Sequence, residues 1–98
     1  MNKSTQIKNI VAKIDTDKVA SYLKEPRSKT LKQIINYSRR VQENNEEKEI
    51  FRLAARIAYN LDTIVNKTDY VKNENEKKHW LEISRELFEN TIGVKEKD

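Results

Sequence analysis

One histidine, one glycine, one proline and no cysteine in 98 residues leave few places where this chain can do chemistry. His79 follows Glu76 by three, and a Glu-x-x-His pair on one helix face is half of the ligand set used by carboxylate-bridged di-iron bundles. The other half is missing: such a site needs a second pair and further inward carboxylates, and one histidine cannot supply them. A capping Glu beside a surface His is the simpler reading. Without Cys there is no thiolate nucleophile, thiolate metal site or disulfide. Ser21, Ser38 and Ser84 are nucleophiles by type only, and a single glycine cannot build a phosphate-cradling loop. The residue types point away from an enzyme, a resident metal and a cofactor.

The elements that position these residues are helices. From Ile50 to Val65 the apolar positions Ile50, Leu53, Ala54, Ile57, Ala58, Leu61, Ile64 and Val65 recur at three and four, the helix period. Phe51 and Ala55 widen the stripe, so this helix is expected at the centre with neighbours on more than one side. Before it, Ser4 or Thr5 is expected to cap a helix with Ile7, Ile10, Val11 and Ile14 facing inward. The phase slips at Val19, Tyr22 and Leu23. Asp15, Thr16 and Asp17 favour caps and turns, which predicts a break or a bend there. Pro26 marks a loop, and Ser28 caps a helix burying Leu31, Ile34, Ile35, Ser38 and Val41. Glu46, Glu47 and Glu49 suit the start of the central helix, where its dipole is positive. After Val65 a polar stretch holds only Tyr70 and Val71 as apolar residues. Asn73 with Glu76 has the capping-box spacing, and the last helix is expected to bury Trp80, Leu81, Ser84, Leu87, Phe88 and Thr91. Lys78 with Glu82 and Arg85 with Glu89 are spaced as exposed ion pairs, and Gly93 is a natural stop. The expected fold is all-α: an antiparallel up-and-down four-helix bundle, a single domain over 1–98. Its helices lie at about 5–23 with either a break or a bend near 15–17, 28–43, 46–66 and 74–91, with a tail at 93–98.

Charge is uneven along the chain. Residues 1–41 carry ten Lys or Arg against three acids, while the whole chain is +4. A basic half suits an anionic membrane surface or nucleic acid, although a solvated charged face explains it more simply. The aromatics Tyr37, Phe51, Tyr59, Trp80 and Phe88 fall on helical stripes and read as packing residues, not base-stacking platforms. Tyr70 is different, because it sits in a polar loop between Lys67 and Lys72. No stretch approaches the roughly 18 apolar residues of a membrane span, and the first residues lack a signal-peptide core. A cytoplasmic protein is expected.

Three segments carry a resemblance to a known family: KNIVAKI, TLKQIINYSRRV and FRLAARIAYNLDTIVNKTDYVKNENEKKHWLEISREL. Together they resemble the immunity proteins that lactic acid bacteria make against pediocin-like (class IIa) bacteriocins, in particular the enterocin A immunity family. The resemblance is one of pattern over about residues 7–90. It implies an antiparallel four-helix bundle in the cytoplasm, in peripheral contact with the inner face of the membrane. The implied partner is the membrane part of the mannose phosphotransferase system with its bound bacteriocin, with specificity mainly in the C-terminal half. The tail after Gly93 is shorter than in the better-known members. That shifts the expected partner-binding set to Lys67, Tyr70, Lys72, Lys77 and Lys78. Two alternatives remain: a protein-binding helical bundle of another kind, and a small nucleic-acid-binding subunit like those of type III CRISPR complexes, whose Arg- and Ala-rich helix RLAARIAYN resembles. Against the latter, Lys8, Lys13 and Lys18 do not form a single stripe.

Overall fold

Two Asx caps, at Asn2 and Asp15, decide how the N-terminal third is built. In the computed structural model, which describes residues 2–23 and 28–91, Asn2 accepts from the Thr5 N–H at 2.8 Å and starts α1, Lys3–Val11. The cap is therefore Asn2 and not Ser4 or Thr5: both lie inside the first turn. The Lys13 and Ile14 N–H groups bond back three residues, to Ile10 and Val11, which tightens and ends the helix. Asp15 then accepts from the Lys18 N–H at 3.1 Å and opens α2, Thr16–Ser21. Two helices thus stand where a break or a bend near 15–17 was expected; the interruption covers residues 12–15, and Thr16 and Asp17 already belong to α2.

Ser28 caps α3, Lys29–Glu43, through the Leu31 N–H. The Asn44 side chain accepts from the Glu46 N–H, and α4, Glu47–Asn66, follows with Glu47 and Glu49 in its first turn. Asn73 accepts from the N–H groups of Asn75 and Glu76 and starts α5, Glu74–Asn90. The described residues thus form five helices and no strand, so the fold is all-α. Pro26, Gly93 and the tail at 93–98 lie outside the described residues.

The core sits around α4, which packs against α1, α3 and α5. Its residues Leu53, Ala54, Ile57, Ala58, Leu61 and Ile64 are all buried, with Ile7, Val11, Val19, Leu31, Ile34, Val41, Trp80 and Leu87 closing over them. Four inward assignments need correction, the first being Tyr59, expected as a packing aromatic on the α4 stripe but 58% exposed. Ile35, Leu81 and Phe88 pack against the core from its edge and stay partly exposed, while Ile83 is buried in α5. At a helix period of 3.6, Trp80, Ile83, Ser84 and Leu87 centre the stripe, and residues one step beyond it fall on the margin.

Ion pairs join the basic N-terminal half to the acidic C-terminal half. Lys13 pairs with Glu86, Lys18 with Glu76 and Arg40 with Glu49, each at 3.2 Å, and Lys3 donates to the Asn90 side chain at 3.1 Å. The charge asymmetry of the sequence is thus partly an internal complementarity. The expected pairs Lys78–Glu82 and Arg85–Glu89 do not close to contact distance.

Candidate functional site

The segment between α4 and α5 is polar, yet it is held in one place by three local interactions. The Thr68 hydroxyl donates to the Ile64 carbonyl at 2.6 Å, closing over the end of α4. Val71 drops into the core at 1% exposure, and Asn73 caps α5. Between these anchors Tyr70 stands out at 37% exposure, its N–H bonded to the Thr68 hydroxyl oxygen at 3.3 Å. Lys67 and Lys72 are exposed on either side along the chain. The two apolar loop residues therefore have different positions: Val71 is the plug, and Tyr70 is offered to solvent.

Lys77 and Lys78 belong to a different neighbourhood. With Glu74 and Asn75 they line a shallow depression of about 620 Å³ whose apolar wall is Val65 and Leu81. Lys77 also pairs with Glu74 at 3.2 Å, leaving Lys78 as the more exposed of the two. Lys67, Tyr70 and Lys72 do not line this depression. The five expected partner-binding residues thus divide into a loop set and an α5 set on either side of the Asn73 cap.

A cluster the sequence did not disclose lies at the start of α5. Glu76 does not reach back to its cap as the capping-box spacing suggests. Its carboxylate accepts instead from the Tyr22 hydroxyl and pairs with Lys18. The Tyr22 oxygen in turn accepts from the Trp80 indole N–H at 3.1 Å. Burial, followed by the neighbouring Glu76 carboxylate, pushes the Tyr22 hydroxyl up to about 12. The Tyr22 hydrogen bond, with help from Lys18, holds Glu76 below the usual carboxylate range. These four side chains tie α2 and its C-cap residue Tyr22 to α5. The only signal in the sequence was that Tyr22 falls out of phase with the stripe of α1.

The remaining candidates for chemistry are accounted for locally. His79 is exposed, its ring 4.9 Å from that of Trp80. Among the described residues no group of three or more His, Cys, Asp or Glu is placed to hold a metal ion. Ser21 and Ser84 donate to the carbonyls of Lys18 and Ala58. Ser38 has a buried hydroxyl without a hydrogen-bond partner among the described residues.

No protein family, curated protein or solved structure matches this chain. No described helix is long and apolar enough to cross a membrane.

Proposed function

We propose that this chain is a bacteriocin immunity protein. It acts in the cytoplasm, at the inner face of the producer's membrane, by binding the membrane part of the mannose phosphotransferase system when a pediocin-like peptide has engaged it. In this reading the helices form an antiparallel up-and-down four-helix bundle in which α1 and α2 together make one broken arm. The chain works by binding, without catalysis, metal or cofactor.

The observation that carries the reading is the exposed Tyr70 on a loop that Val71, Thr68 and Asn73 hold in place. An aromatic ring between two exposed lysines, on a backbone already ordered, binds a partner without a large ordering cost. Lys67 and Lys72 flank it along the chain, and Lys78 with Lys77 adds cations at the start of α5. The test is expression of the full chain in a sensitive lactic acid bacterium challenged with a panel of pediocin-like peptides. Protection against at least one peptide is expected; no protection against any, with folded protein present in the cell, overturns the reading.

The nucleic-acid reading ranks below it. Lys3, Lys13, Lys18 and Arg40 are engaged with side chains of α4 and α5, so much of the basic half is turned to holding the bundle together. A phosphate-binding stripe needs those cations outward and in line.

A further inference from the structure

α4 is packed by α1, α3 and α5, and one strip of its surface is left to solvent. Arg52, Arg56, Tyr59 and Thr63 follow one another at steps of four, three and four, so they form a single row along that strip. The first three are exposed, and Tyr59 at 58% is the most exposed large hydrophobic side chain among the described residues. The buried face of α4 is complete without it, since Leu53, Ala54, Ile57, Ala58 and Leu61 already fill the core. Packing therefore does not explain an aromatic ring at this position.

Two further features mark the row as more than a solvated helix face. Its first residue is held in place: Arg52 donates to Glu49 Oε1 through Nε at 3.0 Å and Nη2 at 2.6 Å, and Arg40 on α3 donates to Glu49 Oε2 at 3.2 Å. The Arg40 guanidinium in turn lies 5.6 Å from the centre of the Tyr37 ring. Arg56 makes no hydrogen bond or ion pair among the described residues, so its guanidinium is open to a partner beside the Tyr59 ring. Three guanidiniums, of Arg40, Arg52 and Arg56, thus stand with one carboxylate, Glu49, and the charge is left positive. Asp62 does not offset it: it lies about 120° round the helix from Arg56 and accepts from the Asn66 side chain at 2.8 Å.

We propose that this row docks a short acidic segment of a partner protein, with carboxylates on Arg56 and Arg52 and an apolar side chain laid against the Tyr59 ring. Arg and Tyr are residue types that protein interfaces concentrate, and the planar guanidinium fork matches a carboxylate in two hydrogen bonds. Displaying them on a packed helix removes most of the backbone ordering cost of binding. Three other occupants fit less well. A nucleic-acid strand follows a run of outward cations, and here Glu49 stands between Arg40 and Arg52. A second copy in two-fold pairing sets the row against itself, like charge on like. An anionic membrane takes up a helix through a broad apolar face, whereas this row carries a single ring.

The test is titration of the isotope-labelled full chain with the blocked pentapeptide EEFEE, read by amide NMR shifts. Saturable shifts centred on residues 52–63 of α4 are expected. The peptide KKFKK, which keeps the ring and reverses the charge, should not bind, and EEAEE, which keeps the charge without the ring, should bind more weakly. Arg56→Gln should weaken EEFEE about tenfold, the loss of a charge-assisted contact, with the melting temperature unchanged because the side chain is exposed. Tyr59→Ala should weaken EEFEE about fivefold and bring it level with EEAEE. Tyr70→Ala should leave the binding as it is, which separates this surface from the one assigned to the bacteriocin-bound receptor. Several results overturn the assignment: no saturable shift up to about 5 mM peptide, equal binding of EEFEE and KKFKK, shifts centred on residues 67–78, or unchanged binding by Arg56→Gln and Tyr59→Ala. So does tighter binding of decauridylate or of phosphatidylglycerol vesicles at the same row. A dimer in sedimentation that Tyr59→Ala dissolves also contradicts it, since the occupant is then a second copy of the chain.

Discussion

Replacing Tyr22 by Phe removes a single oxygen, but that oxygen makes two of the contacts that hold α2 against α5. The Trp80 indole N–H donates to it at 3.1 Å, and Trp80 is only 1% exposed, so the substitution leaves a buried donor without an acceptor. Such a donor costs about 1–3 kcal/mol, while the phenyl ring keeps the packing. In a domain of this size each 1 kcal/mol lowers the melting temperature by about 4–8 °C. Urea denaturation at neutral pH, with the slope checked for constancy, measures the loss directly. A second readout comes from pH. Because the folded state holds the Glu76 carboxyl below its ordinary range, its contribution is present above that range and is lost as pH falls through the lowered value. Tyr22 has the opposite sign: raised to about 12, it contributes fully below its ordinary value of 10.0 and loses that contribution as pH rises towards 12. Tyr22→Phe should therefore show a shallower loss at both ends than the parent protein. A stability change below about 0.5 kcal/mol, with parallel pH profiles, refutes the role assigned to this cluster.

The remaining predictions concern the core, the loop and the charged surface. Ile57 on α4 is fully buried, and Ile57→Ala should cost about 2–5 kcal/mol by denaturant unfolding; a loss below about 0.5 kcal/mol would remove α4 from the centre of the fold. Val71→Ala takes two methyl groups from a buried plug and should cost about 1.5–3 kcal/mol in the same assay, with faster amide exchange across residues 67–72. An unchanged exchange rate there means the loop is anchored elsewhere. Single-stranded RNA should bind weakly and with a steep salt dependence; a Kd below about 1 µM at physiological salt would favour the nucleic-acid reading over immunity.

Much of the fold was legible because it rests on periodicity. The α4 stripe, the Ser28 and Asn73 caps and the Asp15 cap that opens α2 all follow from side-chain types acting within a few residues of themselves. What escaped depends on distant partners. Glu76 has the spacing of a capping box, but Tyr22, 54 residues away, competes for its carboxylate, and no local pattern records that competition. Asn2 displaced Ser4 and Thr5 as the first cap, since each is a good cap by type and only the backbone decides among them. Ile35 and Leu81 illustrate the margin of a stripe: their spacing is right, yet the neighbouring helix does not reach over them. Of the expected site, the exposure of Tyr70 could be read from its polar neighbours. The separate burial of Val71 could not, because adjacent residues in a loop have no fixed alternation.

The central claim is that Tyr70, displayed on an anchored loop, carries recognition of the bacteriocin-bound receptor. The measurement that tests it is the inhibitory concentration of a pediocin-like peptide against sensitive cells expressing the parent chain or Tyr70→Ala, with soluble protein levels and melting temperatures matched. Truncating an exposed aromatic anchor should cost about 1–3 kcal/mol of binding, a loss of roughly five- to 150-fold in affinity. The account predicts that Tyr70→Ala sensitises the cells while the protein stays folded. Full protection by a stably folded Tyr70→Ala chain would contradict it.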